Sequence, residues 1–334
     1  MTADRIFRVT AADVARAAGV SQSTVSLVVN DRWHGRVGQA AVDRILDTAE
    51  RMGYRPNVAA RILRRGVTGA IALAVPTLTN PFFGTVHGGA ARVGEAHGLG
   101  LTVFPVTSDD DHGPFTSPHQ AIDGVLACSL SEQKARELSA GLPLVLLDAA
   151  SETGVPSVTF DLDGGVAEAI GHLYALGHRR VLHVRGDRDA WTLHRRAAAF
   201  GTQVARRPGM LGTELRCSFH PPEAAETVRA ELARHPRPTA ALCDDDNLAV
   251  AVYSAAARLG LAVPHDLSVI GTDDLPIAAV TTPPLTTIGL SGHDLGRLGM
   301  QACIDLRDGR PTPSVTLPAS LRIRASTAPP PPHD

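Results

Sequence analysis

Runs of β-branched and apolar residues, four to seven long, recur between residues 70 and 290, and between most of them apolar positions fall every three or four residues. Runs of that length read as strands and the wider spacing as amphipathic helix. Strands are predicted at 70–76, 101–106, 124–129, 143–148, 157–160, 181–186, 240–245, 267–273 and 285–290, with helices near 82–97, 132–140, 163–177, 190–206, 222–235, 246–260 and 292–308. Repeated strand-helix-strand units imply parallel sheets with right-handed crossovers, and the strands are too many for one comfortable sheet. Two α/β lobes follow, with a ligand expected where the carboxyl ends of their strands face each other.

The first 66 residues follow a different pattern. In TAADVARAAGVSQSTVSLVVN (10–30) two short helical patterns are broken at Gly19. Thr10 can cap the first, with Asp13 completing a capping box and Val14 with Ala17 or Ala18 facing inward. Ser21 caps the second, whose Val25, Val28 and Val29 turn inward and whose Gln22, Ser23, Ser26 and Leu27 face out. This is a helix-turn-helix, and the N-terminal half of such a second helix is the part that enters a DNA major groove; taken alone, the same pattern also fits a plain helical hairpin. Residues 38–52 repeat the spacing at Val42, Ile45, Leu46 and Ala49 and end at Gly53, giving a third helix. Pro56 can then start a helix through Arg65, too short to hold alone and expected to fold only against a partner. The same residues also read as a basic linker.

Charge sharpens the picture. Residues 1–66 hold eleven arginines against six acidic residues, a formal charge of about +5, which leaves about −7 on the rest of a chain whose net charge is −2. A cationic module on an acidic body suits a phosphate backbone. At 334 residues and 44% hydrophobic content the chain can bury a large core. No apolar run is long enough to span a bilayer and MTADRIFRVT lacks a secretory signal, so a cytoplasmic, nucleoid-associated protein is expected. Cys128, Cys217, Cys243 and Cys303 form no CxxC pair and read as buried free thiols.

The ordered stretches DVARAAGVSQSTVSLVVN (13–30), GYRPNVAARIL (53–63), NPFF (80–83), LGHRRVLHVRG (176–186), RPTAALCDDDNLAVAV (237–252), LGLAVPHDLSVIGTDD (259–274) and PPLTTI (283–288) together resemble the lactose-repressor (LacI/GalR) family of bacterial transcription regulators, from about Val9 to Ala328. The resemblance implies an all-α helix-turn-helix headpiece (1–55), a hinge helix (56–66) and a two-lobed α/β body like periplasmic binding proteins (67–328). The first lobe is expected at about 67–156 plus 288–311, the second at about 157–287 plus 312–328, and a disordered Pro-rich tail at 329–334. It also implies a homodimer on a roughly palindromic double-stranded operator and an effector, a mono- or oligosaccharide, that changes operator affinity. No heptad pattern is visible after residue 328, so a dimer is expected in preference to a tetramer.

By position, the resemblance makes Gln22 and Ser23 the base-reading pair, with Thr10, Ser21, Thr24, Ser26, Asn30, Arg36 and Tyr54 around them. Leu27 departs from the Arg or His often found there and offers contact to a thymine methyl instead of a fork to guanine. In the hinge, Asn57 and Ala60 line the minor groove and Leu63 is the wedge. Gly38 and Ala41 replace family hydroxyls at the third helix, leaving Arg32, Arg36 and Trp33 to take up phosphate contacts. For the effector the resemblance points to Asp148, Arg196, Asp245 and Asp273. Carboxylates and a guanidinium suit hydroxyls that both donate and accept. Phe82 or Phe83, with Trp191, would stack on an apolar sugar face, although both Phe residues also fit an inter-lobe core. Asp245 stands where Asn is frequent, and Asp246 is expected to cap the following helix.

A metal reading of Asp244–Asp246 lacks His or Cys at ligand spacing and is set aside, residues 109–112 read as an exposed acidic loop in preference to a cation site, and no cofactor is expected. The segment 107–122, with Gly113, Pro114 and Pro118, predicts an irregular crossover in the first lobe. No glycine fingerprint follows the first strand and no nucleophile-base arrangement is visible, so the chain does not read as an enzyme. The alternative, a sugar-binding protein that never meets DNA, would not need residues 10–66.

Overall fold

The computed structural model describes residues 9–54, 68–106 and 122–332. It separates into two compact units, Met1–Val67 and Thr68–Asp334. The hinge residues Asn57, Ala60 and Leu63, the crossover 107–121 and the last two residues of the tail lie outside the described residues.

In the first unit α1 (Ala11–Ala18) begins with the expected capping box: Thr10 Oγ1 accepts the Asp13 N–H at 3.3 Å and Asp13 Oδ2 accepts the Thr10 N–H at 3.0 Å. Gly19, at φ 65°, ends the helix in the left-handed conformation that makes the sharp turn cheap for glycine alone. Ser21 then caps α2 (Gln22–Val29), and α3 (Gln39–Arg51) packs across both. Val14, Ala15, Ala18, Val25, Val28, Val42, Ile45 and Ala49 form the core. Of the alternatives Ala17 and Ala18 it is Ala18 that turns inward, while Leu46, expected inward, is 47% exposed, because a three-helix core this small needs only one stripe of each helix.

The second unit contains two six-stranded sheets. Its helices and strands in chain order are β1 (Ala70–Val75), α4 (Pro81–Ala96), β2 (Gly100–Pro105), β3 (Gly124–Cys128), α5 (Glu132–Ser139), β4 (Leu144–Leu147), β5 (Ser157–Phe160), α6 (Leu162–Leu176), β6 (Arg180–Gly186), α7 (Trp191–Ala205), β7 (Leu211–Cys217), α8 (Pro221–Leu232), β8 (Ala240–Cys243), α9 (Asp246–Arg258), β9 (Ser268–Asp273), α10 (Pro276–Val280), β10 (Thr286–Gly289), α11 (Gly292–Arg307), β11 (Val315–Leu317) and β12 (Ser320–Arg322). The sheet orders are β11-β5-β4-β3-β1-β2 and β12-β10-β9-β8-β6-β7, the same winding twice. All pairings are parallel except β10 with β12.

Lobe membership differs from the expected boundaries at two places. Ser157–Phe160 and Val315–Leu317 belong to the first sheet, β5 pairing with β4 in the register Leu146↔Ser157 and with β11 in Val315↔Val158. Thr286–Gly289 belongs to the second. The chain therefore changes lobe after Phe160, after Gly289 and after Leu317. Periodicity marks a strand but not its partner, and hydrogen-bonding needs at the sheet edge decide it. The tail also departs from expectation, since Pro330 lies over Gly177, close enough that a β-carbon there would be 3.4 Å from it.

In the first lobe α4 and α11 cross at backbone contact. A β-carbon on Gly89 would stand 1.9 Å from the His293 carbonyl oxygen, and one on Gly296 would stand 1.9 Å from that of Val86. All four cysteines are buried and free, as expected.

Candidate functional site

On the headpiece, the N-terminal turn of α2 presents Ser21, Gln22 and Ser23 to solvent. Ser21 Oγ accepts the Thr24 N–H at 3.1 Å and lies 2.7 Å from Ser23 Oγ and 2.8 Å from Thr24 Oγ1, so the three hydroxyls are mutually oriented and Gln22 stands free between them. Ser26 and Leu27 are half-buried on the same helix, and Asn30 spends its amide on the Ser26 carbonyl at 2.7 Å. Thr10 gives its hydroxyl to Asp13 at 2.6 Å. Tyr54 packs half-buried against the headpiece core, whereas Arg36 is exposed. Trp33 leans on the same core, its ring 4.0 Å from that of His34 and its N–H directed to Asp31 at 3.1 Å. The indole donor is thus already engaged, while Arg32 and Arg36 extend freely into solvent.

In the body, the carboxyl ends of β1, β3, β4, β6, β8 and β9 converge on a cleft of about 550 Å³. The switch points of open parallel sheets leave such a crevice, because helices cover the faces but not the strand ends. Arg196, from α7, is buried at its floor. Its Nη1 donates to the Asp244 carbonyl oxygen, while its Nε has no hydrogen-bond partner. Burial works against that charge, but Asp244, Asp148, Asp273 and Asp245 together outweigh it and hold the guanidinium pKa above its ordinary value.

The carboxylates around it arrive by different routes. Asp148 follows β4 with φ 49°, and Asp273 closes β9 with φ 105°. Non-glycine residues in this region cost about 1–3 kcal/mol each and tend to mark functional positions. Asp148 Oδ2 accepts the Ser129 hydroxyl at 3.0 Å, leaving its buried Oδ1 without a partner. Burial pushes the Asp148 pKa up, although Arg196 and Ser129 pull it down, and burial drives Asp273 well above the carboxylate range. Asp245 is likewise raised by burial, to about 6, against the Leu248 N–H that it accepts.

Asp245, not Asp246, is the helix cap. Its Oδ1 accepts the Leu248 N–H at 2.6 Å, whereas Asp246 turns into the second lobe to accept the Thr287 hydroxyl at 2.6 Å and the Leu275 N–H at 2.7 Å. Asp244 points a third way, to His183 Nε2 at 3.0 Å and the Gly186 N–H at 3.2 Å. Consecutive carboxylates entering a helix diverge, and no metal-holding cluster is found among the described residues.

Phe82 and Phe83 both line the cleft, edge to face at 5.6 Å, but Phe82 is 5% exposed and belongs equally to the core. Trp191 does not line it. At the first position of α7, five residues before Arg196, its ring packs half-buried on the hydrophobic core. The aromatic wall of the second lobe is instead Phe219, whose ring lies so near Gly186 that a β-carbon there would be 2.1 Å from it. Sequence reasoning also passed over Asn80, Ser129 and Thr192, whose buried hydroxyl has no partner. Ser129 and Thr192 carry no pattern, and Phe219 follows the unread strand β7. Asn80 stands in the quoted NPFF but signals only a helix cap.

Residues 10–57 match the pattern of bacterial regulatory proteins of the lacI family, and residues 170–327 that of a periplasmic binding protein-like domain. The ribose operon repressor of Escherichia coli strain K12 is 31% identical over 306 residues, 87% of this chain and 91% of that protein. The chain belongs to the lacI family. Another relative, the HTH-type transcriptional regulator MalR of Streptomyces coelicolor, is 31% identical over 352 residues, 95% of this chain and 96% of its own. A crystal structure of the Lac repressor dimer bound to operator and the anti-inducer ONPF aligns with TM-score 0.85 at 26% identity, covering 96% of this chain and 99% of that one. In lacI-family terms, the helix-turn-helix and the two-lobed body with parallel sheets are both in place.

Proposed function

We propose that the protein is a transcriptional repressor whose affinity for a roughly palindromic operator is set by a sugar bound between the two lobes. Arg196 carries this reading: a buried guanidinium with an unpartnered Nε, ringed by carboxylates at the mouths of parallel strands, is a site awaiting hydroxyls. Gln22 and Ser23 read bases, Ser21, Thr24 and the neighbouring arginines hold phosphate, and Asn57, Ala60 and Leu63 of the hinge enter the minor groove. Such a wedge costs a few kcal/mol of unstacking, offset by contacts that the bent duplex permits. The protein works as a homodimer in the cytoplasm, at the nucleoid. Sugar binding favours one lobe arrangement over another, and operator affinity changes by the ratio of affinities for the two, about 5–150-fold in typical cases.

The test is binding of full-length protein to genomic fragments at several salt concentrations, with and without a saccharide panel. Steep salt dependence, preference for particular fragments and a saccharide-dependent shift are expected. Arg196→Ala should abolish the shift and leave operator affinity within about twofold. A chain with no fragment preference under any condition would overturn the reading.

A further inference from the structure

The cleft is lined by six aspartates and only two arginines. Two of the aspartates have histidine partners, Asp244 with His183 and Asp189 with His194. Asp148, Asp245 and Asp273 are buried to 3%, 3% and 7% exposure around a single buried cation, Arg196, yet no ion pair within 4.0 Å joins it to any of them among the described residues. The second arginine, Arg188, lies over the Phe219 ring at 5.3 Å. Buried carboxylates without paired counter-charges are costly, and the Oδ1 of Asp148 lacks even a hydrogen bond. A neutral polyol supplies hydroxyl donors but no positive charge, and so leaves the carboxylates to be neutralised by the protons that burial holds on them.

We infer that the cleft is built for a hydroxylated ligand carrying a cationic nitrogen, an amino sugar or similar hydroxylated amine, with its ammonium group seated between Asp148, Asp245 and Asp273. The inference rests on the sugar-cleft reading above and adds the charge of the ligand. The ammonium supplies the three donors and the positive charge that the floor lacks, while Arg196 meets a ring oxygen or hydroxyl. Because burial holds these carboxylates at raised pKa, an arriving cation displaces protons from them.

Calorimetry on the full-length protein at pH 7 with matched pairs decides it: glucose and glucosamine, galactose and galactosamine, mannose and mannosamine, in buffers of differing ionisation enthalpy. The amine of at least one pair is expected to bind at least tenfold tighter than its hydroxyl partner, with proton release. Asp245→Asn keeps a good helix cap and removes one charge, so it should cut that ratio to about threefold or less. In the unaltered protein the amine preference should fall as pH drops below about 6, where Asp245 takes up its proton. Equal or tighter binding of the neutral member, a pH-independent ratio, or no binding of any amine overturns the inference. Neutral sugars that bind and shift operator affinity without amine preference leave the proposed function standing, whereas a chain that binds neither class and prefers no DNA fragment removes both.

Discussion

Asn80 of the first lobe donates its Nδ2 hydrogen to Asp245 Oδ2 of the second at 3.2 Å, and each residue simultaneously caps the helix behind it. Asn80 Oδ1 accepts the Phe82 N–H at 2.9 Å and Asp245 Oδ1 accepts the Leu248 N–H at 2.6 Å. Two positive helix ends therefore face one another across the cleft, and the Asp245 carboxyl between them makes the meeting favourable. Asn80→Asp preserves the cap but opposes two carboxylates, which disfavours the closed cleft. Affinity for neutral sugars should weaken about tenfold by calorimetry while helix content by circular dichroism stays unchanged. Unchanged affinity would mean that this bond does not hold the lobes.

Asp246 is fully buried, and burial pushes its pKa from 3.8 to about 7 despite the Thr287 hydroxyl and the Leu275 N–H. The native chain thus holds a proton that the unfolded chain has released, and the resulting stability is complete below pH 3.8 and lost as pH rises to about 7. Urea melts of wild type and Asp246→Asn should show the advantage of the wild type shrinking between pH 5 and pH 8 by on the order of 2 kcal/mol. A constant difference would show that Asp246 titrates normally.

The α4–α11 crossing tolerates no side chain at its centre. Gly296→Ala drives a β-carbon into the Val86 carbonyl, so a loss of about 2–4 kcal/mol in chemical denaturation is expected. Gly201 lies in α7 with open space around it, and Gly201→Ala should stabilise by about 0.5–1 kcal/mol through backbone entropy. Equal responses from the two would refute the packing account.

Headpiece stability and base reading should separate cleanly. Ser21→Ala removes the cap of α2 and costs about 1 kcal/mol in the headpiece melt. Gln22 is exposed and bonds nothing in its own unit, so Gln22→Ala should leave that melt within about 0.5 kcal/mol. It should nevertheless cost about 1–3 kcal/mol of operator binding relative to random DNA. A parallel loss on random DNA would assign Gln22 to the phosphates.

The resemblance to the lacI family pointed to Asp148, Arg196, Asp245 and Asp273 as one effector site, and the structure brings them to one cleft; local chemistry in the chain was enough for the capping box at Thr10 and Asp13, the cap at Ser21, and seven helices and nine strands of the body. Each rests on short-range rules: a cap bonds within three residues, a helix repeats every 3.6, and parallel strands deliver their carboxyl ends to one edge. The elements missed are those with weak local signals. Strand β7 is a polar edge, almost wholly exposed until Cys217, while β11 and β12 span three residues each.

Tertiary structure alone assigned β5 and β11 to the first lobe, because strand pairing is a long-range choice made by backbone groups that all look alike. It also put Phe219 in the cleft and Trp191 on the core, since the direction of a side chain at a helix start depends on what packs behind it. The bond between Asn80 and Asp245 joins residues 165 apart in the chain, and no periodicity records which two helix ends will meet. The residue types that make the chemistry were thus written in order along the sequence, while their distances, protonation and unpartnered atoms came from burial, which exists only once the two lobes have formed.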